Sequence, residues 1–122
     1  MEYCKKNNPD TIIFLHSCGF IEEILDDLIE LGVDAIHTSF LKSDKYVSKI
    51  SDRYLNEFVI YGTIDAQNTI PFGTPEDVDK AVRERVEMLR NRPFFCAPSA
   101  PLGPEVLFEN ITAFWKACKK YC

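Results

Sequence analysis

His16 and Cys18 stand two positions apart at the end of an apolar run, Thr11-Ile-Ile-Phe-Leu-His16-Ser-Cys18-Gly19. In a strand, alternate side chains leave on the same face, so an imidazole and a thiol would project side by side at its C-terminal end. Both are good zinc ligands, and the pair makes half of a metal site. A packed cysteine and a solvated histidine would look the same locally. Catalytic zinc takes three protein ligands and leaves one position for substrate, so the remaining donors must come from elsewhere.

Other candidates sit at comparable places. His37, with Thr38 and Ser39, ends the short apolar stretch Val33–His37 and suits either a ligand-contacting catalytic group or an ordinary surface histidine. Asp65, Gln67 and Asn68 follow the run Phe58-Val-Ile-Tyr-Gly-Thr-Ile64. One carboxylate beside two amides would orient a substrate, and the same residue types also build turns. The five cysteines (Cys4, Cys18, Cys96, Cys118, Cys122) include no CxxC pair and read as thiols of a reducing cytosol. Cys118 and Cys122 have helical spacing and admit a second metal site, although no histidine lies near them.

The elements that must position these groups alternate. Met1 to Lys6 reads as the end of a helix and Asn7-Asn8-Pro9-Asp10 as a loop. After the first strand, Gly19 turns the chain into a helix carrying Ile21, Ile24, Leu25, Leu28, Ile29 and Leu31, which Gly32 stops. A second strand, Val33–His37, precedes a weaker helix around Tyr46, Val47, Ile50, Tyr54 and Leu55, with Ser43 as N-cap. The third strand is nearly continuous in β-forming residues, as expected of burial on both faces. Thr74-Pro75-Glu76-Asp77 starts a helix whose stripe is Val78, Ala81, Val82, Val86 and Leu89. Phe94-Phe-Cys-Ala97 is a fourth strand, Pro98 to Pro104 a loop, and Glu105 to Tyr121 a helix packing Val106, Leu107, Ile111, Phe114, Trp115 and Cys118.

Strand-helix units in succession with no hairpin signal call for a parallel α/β sheet with right-handed crossovers. Residues 1–122 make one domain, 46% hydrophobic, with a net charge of −5. That charge argues against nucleic-acid or anionic-membrane partners, and the basic pairs Lys5-Lys6 and Lys119-Lys120 read as solvated helix ends. No apolar run is long enough to span a bilayer and no signal-peptide core is present, so a cytoplasmic location is expected. A small open doubly wound sheet and half of an eight-stranded barrel both fit, since a full barrel needs roughly 200 to 250 residues.

The segments His16-Ser-Cys18-Gly19, Asp27-Leu-Ile-Glu-Leu-Gly-Val-Asp-Ala35, Tyr61-Gly-Thr-Ile-Asp65-Ala-Gln67, Thr69-Ile-Pro-Phe-Gly-Thr-Pro-Glu-Asp-Val78, Ala97-Pro-Ser99 and Glu109-Asn110, in this order, resemble the C-terminal half of the uroporphyrinogen decarboxylase superfamily. That superfamily includes cobalamin-dependent methyltransferases. The resemblance implies the last four units of a (β/α)8 TIM barrel, with the N-terminal half and its arginine-rich, carboxylate-holding segment outside this chain. His-x-Cys-Gly resembles the methyltransferase branch, where His16 and Cys18 would bind zinc that activates a thiol or similar acceptor for a corrinoid-bound methyl group. The family's third ligand falls on Ala100, which has no donor. Cys96 lies about 13 Å deeper along its strand and replaces that ligand only if the proline-rich loop shifts the alignment. Asp65 or His37 would then be the remaining candidates, with Gln67 and Ser99 as substrate-binding positions. Implied partners are a corrinoid protein or small-molecule methyl acceptor, and self-association or an N-terminal half-barrel. The alternatives are porphyrinogen decarboxylation, with carboxylate-binding groups in place of metal, and a truncated or split half-barrel active only with a partner chain.

Overall fold

The computed structural model describes residues 2–38, 54 and 57–122. Helix α1 (Glu2–Asn7) precedes strand β1 (Phe14–Ser17). A 3-10 turn over Glu22–Ile24 leads into α2 (Leu25–Glu30), then β2 (Ala35–Thr38) and β3 (Val59–Ile64). A short α3 (Thr69–Phe72), α4 (Pro75–Leu89), β4 (Phe94–Pro98) and α5 (Phe108–Tyr121) complete the order. The four strands form one parallel sheet in the order β1-β2-β3-β4. The parallel α/β architecture expected from the alternating pattern is therefore present. The expected helix around Tyr46, with Ser43 as its cap, and the exposed end at Ser39 lie outside the described residues, Tyr54 apart.

Several boundaries differ from the pattern reading. Strand β1 starts at Phe14 rather than Thr11, because Ile13 spends its backbone groups on Asp34 and Ala35 before the ladder begins: its N–H donates to Asp34 Oδ2 at 2.7 Å and its carbonyl accepts from both residues. The last helix starts at Phe108, since Pro104 and the turn closed by Val106 N–H to Gly103 O hold the chain out of the helix. Its buried residues are Asn110 and Ala117, whereas Leu107, Ile111 and Trp115 are exposed. Helix α4 begins as the sequence predicts. Thr74 Oγ1 accepts from Asp77 N–H, the Asp77 carboxylate returns the bond to Thr74 N–H, and Pro75 needs no partner for the donor it lacks.

Two apolar clusters hold the helices on one face of the sheet. Ile21, Leu25, Leu28, Val33, Ile36, Phe58 and Ile60 make the first, with Ile13, Leu15 and Phe94 packed against it. Ile64, Ile70, Val82, Val106 and Ala117 make the second, joined by Cys96 and Phe114. Each fully buried Leu or Ile contributes roughly 1.5–3 kcal/mol. Strand alternation then turns Phe14, His16, His37, Tyr61 and Phe95 to the opposite face. That face is open: Ile12 is 76%, Phe14 48% and Phe95 62% exposed. Continuous burial on both sides, expected for β3, holds for Ile60, Gly62, Thr63 and Ile64 but not for Val59 or for Tyr61, which faces the open side. Lys5 is not a solvated helix end, because its ammonium pairs with Asp34 Oδ1 at 2.7 Å and ties α1 to the start of β2.

Candidate functional site

The ladder register places His16 beside His37, His37 beside Tyr61 and Tyr61 beside Phe95, one residue from each strand. Equal pleat phase sends all four side chains to the open face, where they form a continuous aromatic row. Ring centroids are 4.8 Å apart for His16 and His37, 4.9 Å for His37 and Tyr61, and 5.9 Å for Tyr61 and Phe95. Phe14 meets the Tyr61 ring edge-on at 5.2 Å. A groove of about 640 Å³ is lined by Phe14, His37, Tyr61 and Phe95 together with Pro98, Ala100 and Leu102, and His16 lies outside that lining.

At the C-terminal end of β1 the imidazole of His16 uses both nitrogens. Nδ1 lies 3.1 Å from His37 Nδ1, and Nε2 lies 3.4 Å from Cys18 Sγ. Cys18 is one residue beyond the strand, where Ser17 Oγ accepts from Gly19 N–H and bends the chain. Two ligands sharing a tetrahedral zinc, with Zn–S about 2.3 Å and Zn–N about 2.0–2.1 Å, stand roughly 3.6 Å apart, so this pair is set at ligand spacing. His37 sits on the other nitrogen of His16 and does not converge with the pair: among the described residues the one three-donor group lies elsewhere. Burial, and then the neighbouring His16, lower the pKa of His37, against the opposing pull of the Ser99 and Pro98 backbone. A neutral His37 can accept a hydrogen bond through Nδ1 from His16 Nδ1.

The remaining candidates are placed differently. Asp65 closes its own turn, accepting from Gln67 N–H at 2.8 Å, Asn68 N–H at 3.2 Å and Asn68 Nδ2 at 2.9 Å. Gln67 is exposed beside it. Ser99 is 1% exposed, donates its N–H to Ile64 O and accepts from Ala66 N–H, which pins β4 to the turn after β3. Ala100 does line the groove, and brings only a methyl group there.

Cys96 does not join His16 and Cys18. It follows Phe95, so the pleat turns it to the helix-covered face, where its sulfur lies 3.7 Å from Cys118 and within 4.8 Å of both Cys118 and Cys122. The pattern reading singled out each of these three cysteines but did not bring them together, because α5 folds back on β4 only in three dimensions. It also passed over Phe14, Tyr61 and Phe95 as groove residues. The available signal was their in-phase position with the two histidines.

The family model for uroporphyrinogen decarboxylase (URO-D) matches residues 1–121. The chain belongs to the uroporphyrinogen decarboxylase family. No curated protein matches it. In this family member the segment that carries the match runs through every element described above, including the His16–Cys18 strand end. No helix among its described residues is long and apolar enough to cross a membrane.

Proposed function

We propose that this uroporphyrinogen decarboxylase family member acts in zinc-dependent methyl transfer from a corrinoid to a thiol or similar acceptor, with four strand-helix units forming half of a (β/α)8 barrel. The observation that carries the reading is the 3.4 Å spacing of His16 Nε2 and Cys18 Sγ at the C-terminal end of a parallel strand, the edge at which α/β proteins bind ligands. Zinc held there supplies the charge that keeps a coordinated thiol deprotonated at neutral pH and able to accept a methyl group. His16 and Cys18 would supply two of the three protein ligands such a zinc needs, the third coming from outside this pair. His37 would fix the His16 tautomer by accepting from Nδ1, the place that an outer hydrogen-bond partner takes on a metal-bound imidazole. The row of Phe14, Tyr61 and Phe95 offers apolar surface to an acceptor.

The alternative reading, decarboxylation of a porphyrinogen, would draw the cations that hold the substrate carboxylates from outside this groove, whose lining is apolar and aromatic apart from His37. The open face, with β1 and β4 as unpaired edges of the described sheet, is proposed to be covered by a half-barrel partner or a second copy.

The test is zinc content together with demethylation of methylcobalamin in the presence of small thiols, followed by absorbance. Wild type is expected to hold zinc that Cys18→Ser and His16→Ala each lose, along with any demethylation. Unchanged zinc content in both variants, with no demethylation by any thiol, would overturn the reading.

A further inference from the structure

Three of the five cysteines meet on the helix-covered face of the sheet, away from His16 and Cys18. Cys96 points from β4 toward α5, and Cys118 and Cys122, one turn apart on that helix, converge on it. All three sulfurs lie within 4.8 Å of one another, and Cys96 and Cys118 are 3.7 Å apart. Two sulfurs bound to one tetrahedral zinc at about 2.3 Å stand roughly 3.8 Å apart. A disulfide requires about 2.05 Å, so the trio is arranged as ligands around a shared point rather than as a bonded pair.

We propose that Cys96, Cys118 and Cys122 form a second metal site, for zinc, that clamps the last turn of α5 to β4. The binding balances as Zn²⁺ plus three thiols giving a zinc tris-thiolate and three protons, one from each sulfur. The product carries one negative charge. Arg90 and Arg92 line the groove into which the sulfurs open, and cationic side chains there would offset that charge. The same groove, about 640 Å³, leaves the fourth position accessible to water. Burial first, and then neighbouring sulfurs, hold the Cys96 thiol above the ordinary range, and burial does the same for Cys118. A thiophilic ion is what makes three adjacent thiolates stable.

The clamp has a structural rationale. Cys96 and Cys118 belong to elements that are joined by the non-helical segment from 99 to 107, and the end of α5 is otherwise anchored through Tyr121 Oη donating to Asp79 Oδ2 at 2.9 Å. A bound ion would add a second anchor, directly to the sheet.

The experiment uses the full chain carrying His16→Ala and Cys18→Ser, so that zinc at the strand-end pair cannot contribute. Zinc is titrated under a non-thiol reductant against a chromophoric chelator, and proton release is measured by calorimetry in buffers of different ionisation enthalpy. The expected result is one zinc per chain with release of about three protons. Adding Cys122→Ser should weaken binding by at least about 100-fold, beyond the loss of an outer partner. Cys122 is exposed, so that variant keeps the core intact even if Cys96→Ser fails to fold. Cys4→Ser, the control, should bind as before. Absence of zinc in the double variant, or binding indifferent to Cys122→Ser, overturns the site.

Discussion

Gly62 lies directly against His37: a Cβ built on Gly62 would stand 2.9 Å from His37 Cδ2 and 3.2 Å from the Pro98 carbonyl oxygen. Its φ of +95° is also closed to most L side chains. Gly62→Ala is therefore expected to cost roughly 1–3 kcal/mol and to push His37 off His16. Urea denaturation reads the first effect and the histidine ring signals in NMR read the second. An unchanged midpoint would mean that the strand relaxes around the methyl group.

His37 should matter to metal binding without being a ligand. Ligation of an ion through His16 Nε2 requires the proton on Nδ1, and His37 Nδ1, 3.1 Å away, is the acceptor that holds it there. His37→Ala is expected to weaken zinc binding at His16 and Cys18 by about 10–100-fold. Titration in a Cys122→Ser background isolates that site, and equal affinity with and without the imidazole would remove His37 from this role.

Asn110 holds the start of α5 onto α3. It is 0% exposed and its Nδ2 donates to Ile70 O at 2.9 Å and Gly73 O at 2.8 Å. Asn110→Ala leaves two carbonyls without their donor and should cost roughly 2–4 kcal/mol. Thermal unfolding is the measurement, and a loss below about 1 kcal/mol would show that water replaces the amide.

Asp34 predicts a pH dependence. Its pKa is lowered by the Ile13 N–H first and then by Lys5, so the folded state holds the carboxylate more tightly than the unfolded chain does. The stabilisation is fully present above the unfolded value of about 3.9 and is lost as pH falls through the lower folded value. Because the carboxylate and ammonium are both partly solvated, the effect should stay near 1 kcal/mol. Comparing wild type with Asp34→Asn at neutral pH and near pH 3 isolates it: the two should differ at neutral pH and converge in acid.

The uncovered face predicts association. Sedimentation should show wild type as a dimer or larger species, with Phe95→Glu shifting it to monomer, since Phe95 is 62% exposed at the end of the aromatic row. A stable wild-type monomer at high concentration would rule out a second copy as the cover.

Much of the fold was legible because its signals are local. The Thr74-Pro75-Glu76-Asp77 start, the Gly32 stop with φ +77° and the alternation of apolar runs with helical stripes each depend on neighbours in the chain. The last helix was the poorest reading. Its aromatic stripe looks like core, yet Trp115 is 56% exposed and the buried positions are Asn110 and Ala117, because α4 and α3 approach the other side of it.

The sequence by itself determined the parallel strand-helix order, the family, and the closeness of His16 to Cys18, two positions apart where the strand gives way to a turn. Only the tertiary structure decided the rest. Strand register aligned His37 and Tyr61 with His16, and the pleat, offset by one residue from Phe95, carried Cys96 to the opposite face. Chain return then brought Cys118 and Cys122 to it. Asp65, Ser99 and Asn110 are polar residues whose hydrogen-bond partners, in turns or across the fold, only the folded chain brings to them. Side-chain type and spacing name the groups that can bind, but which of them face one another is set by packing between segments distant in sequence.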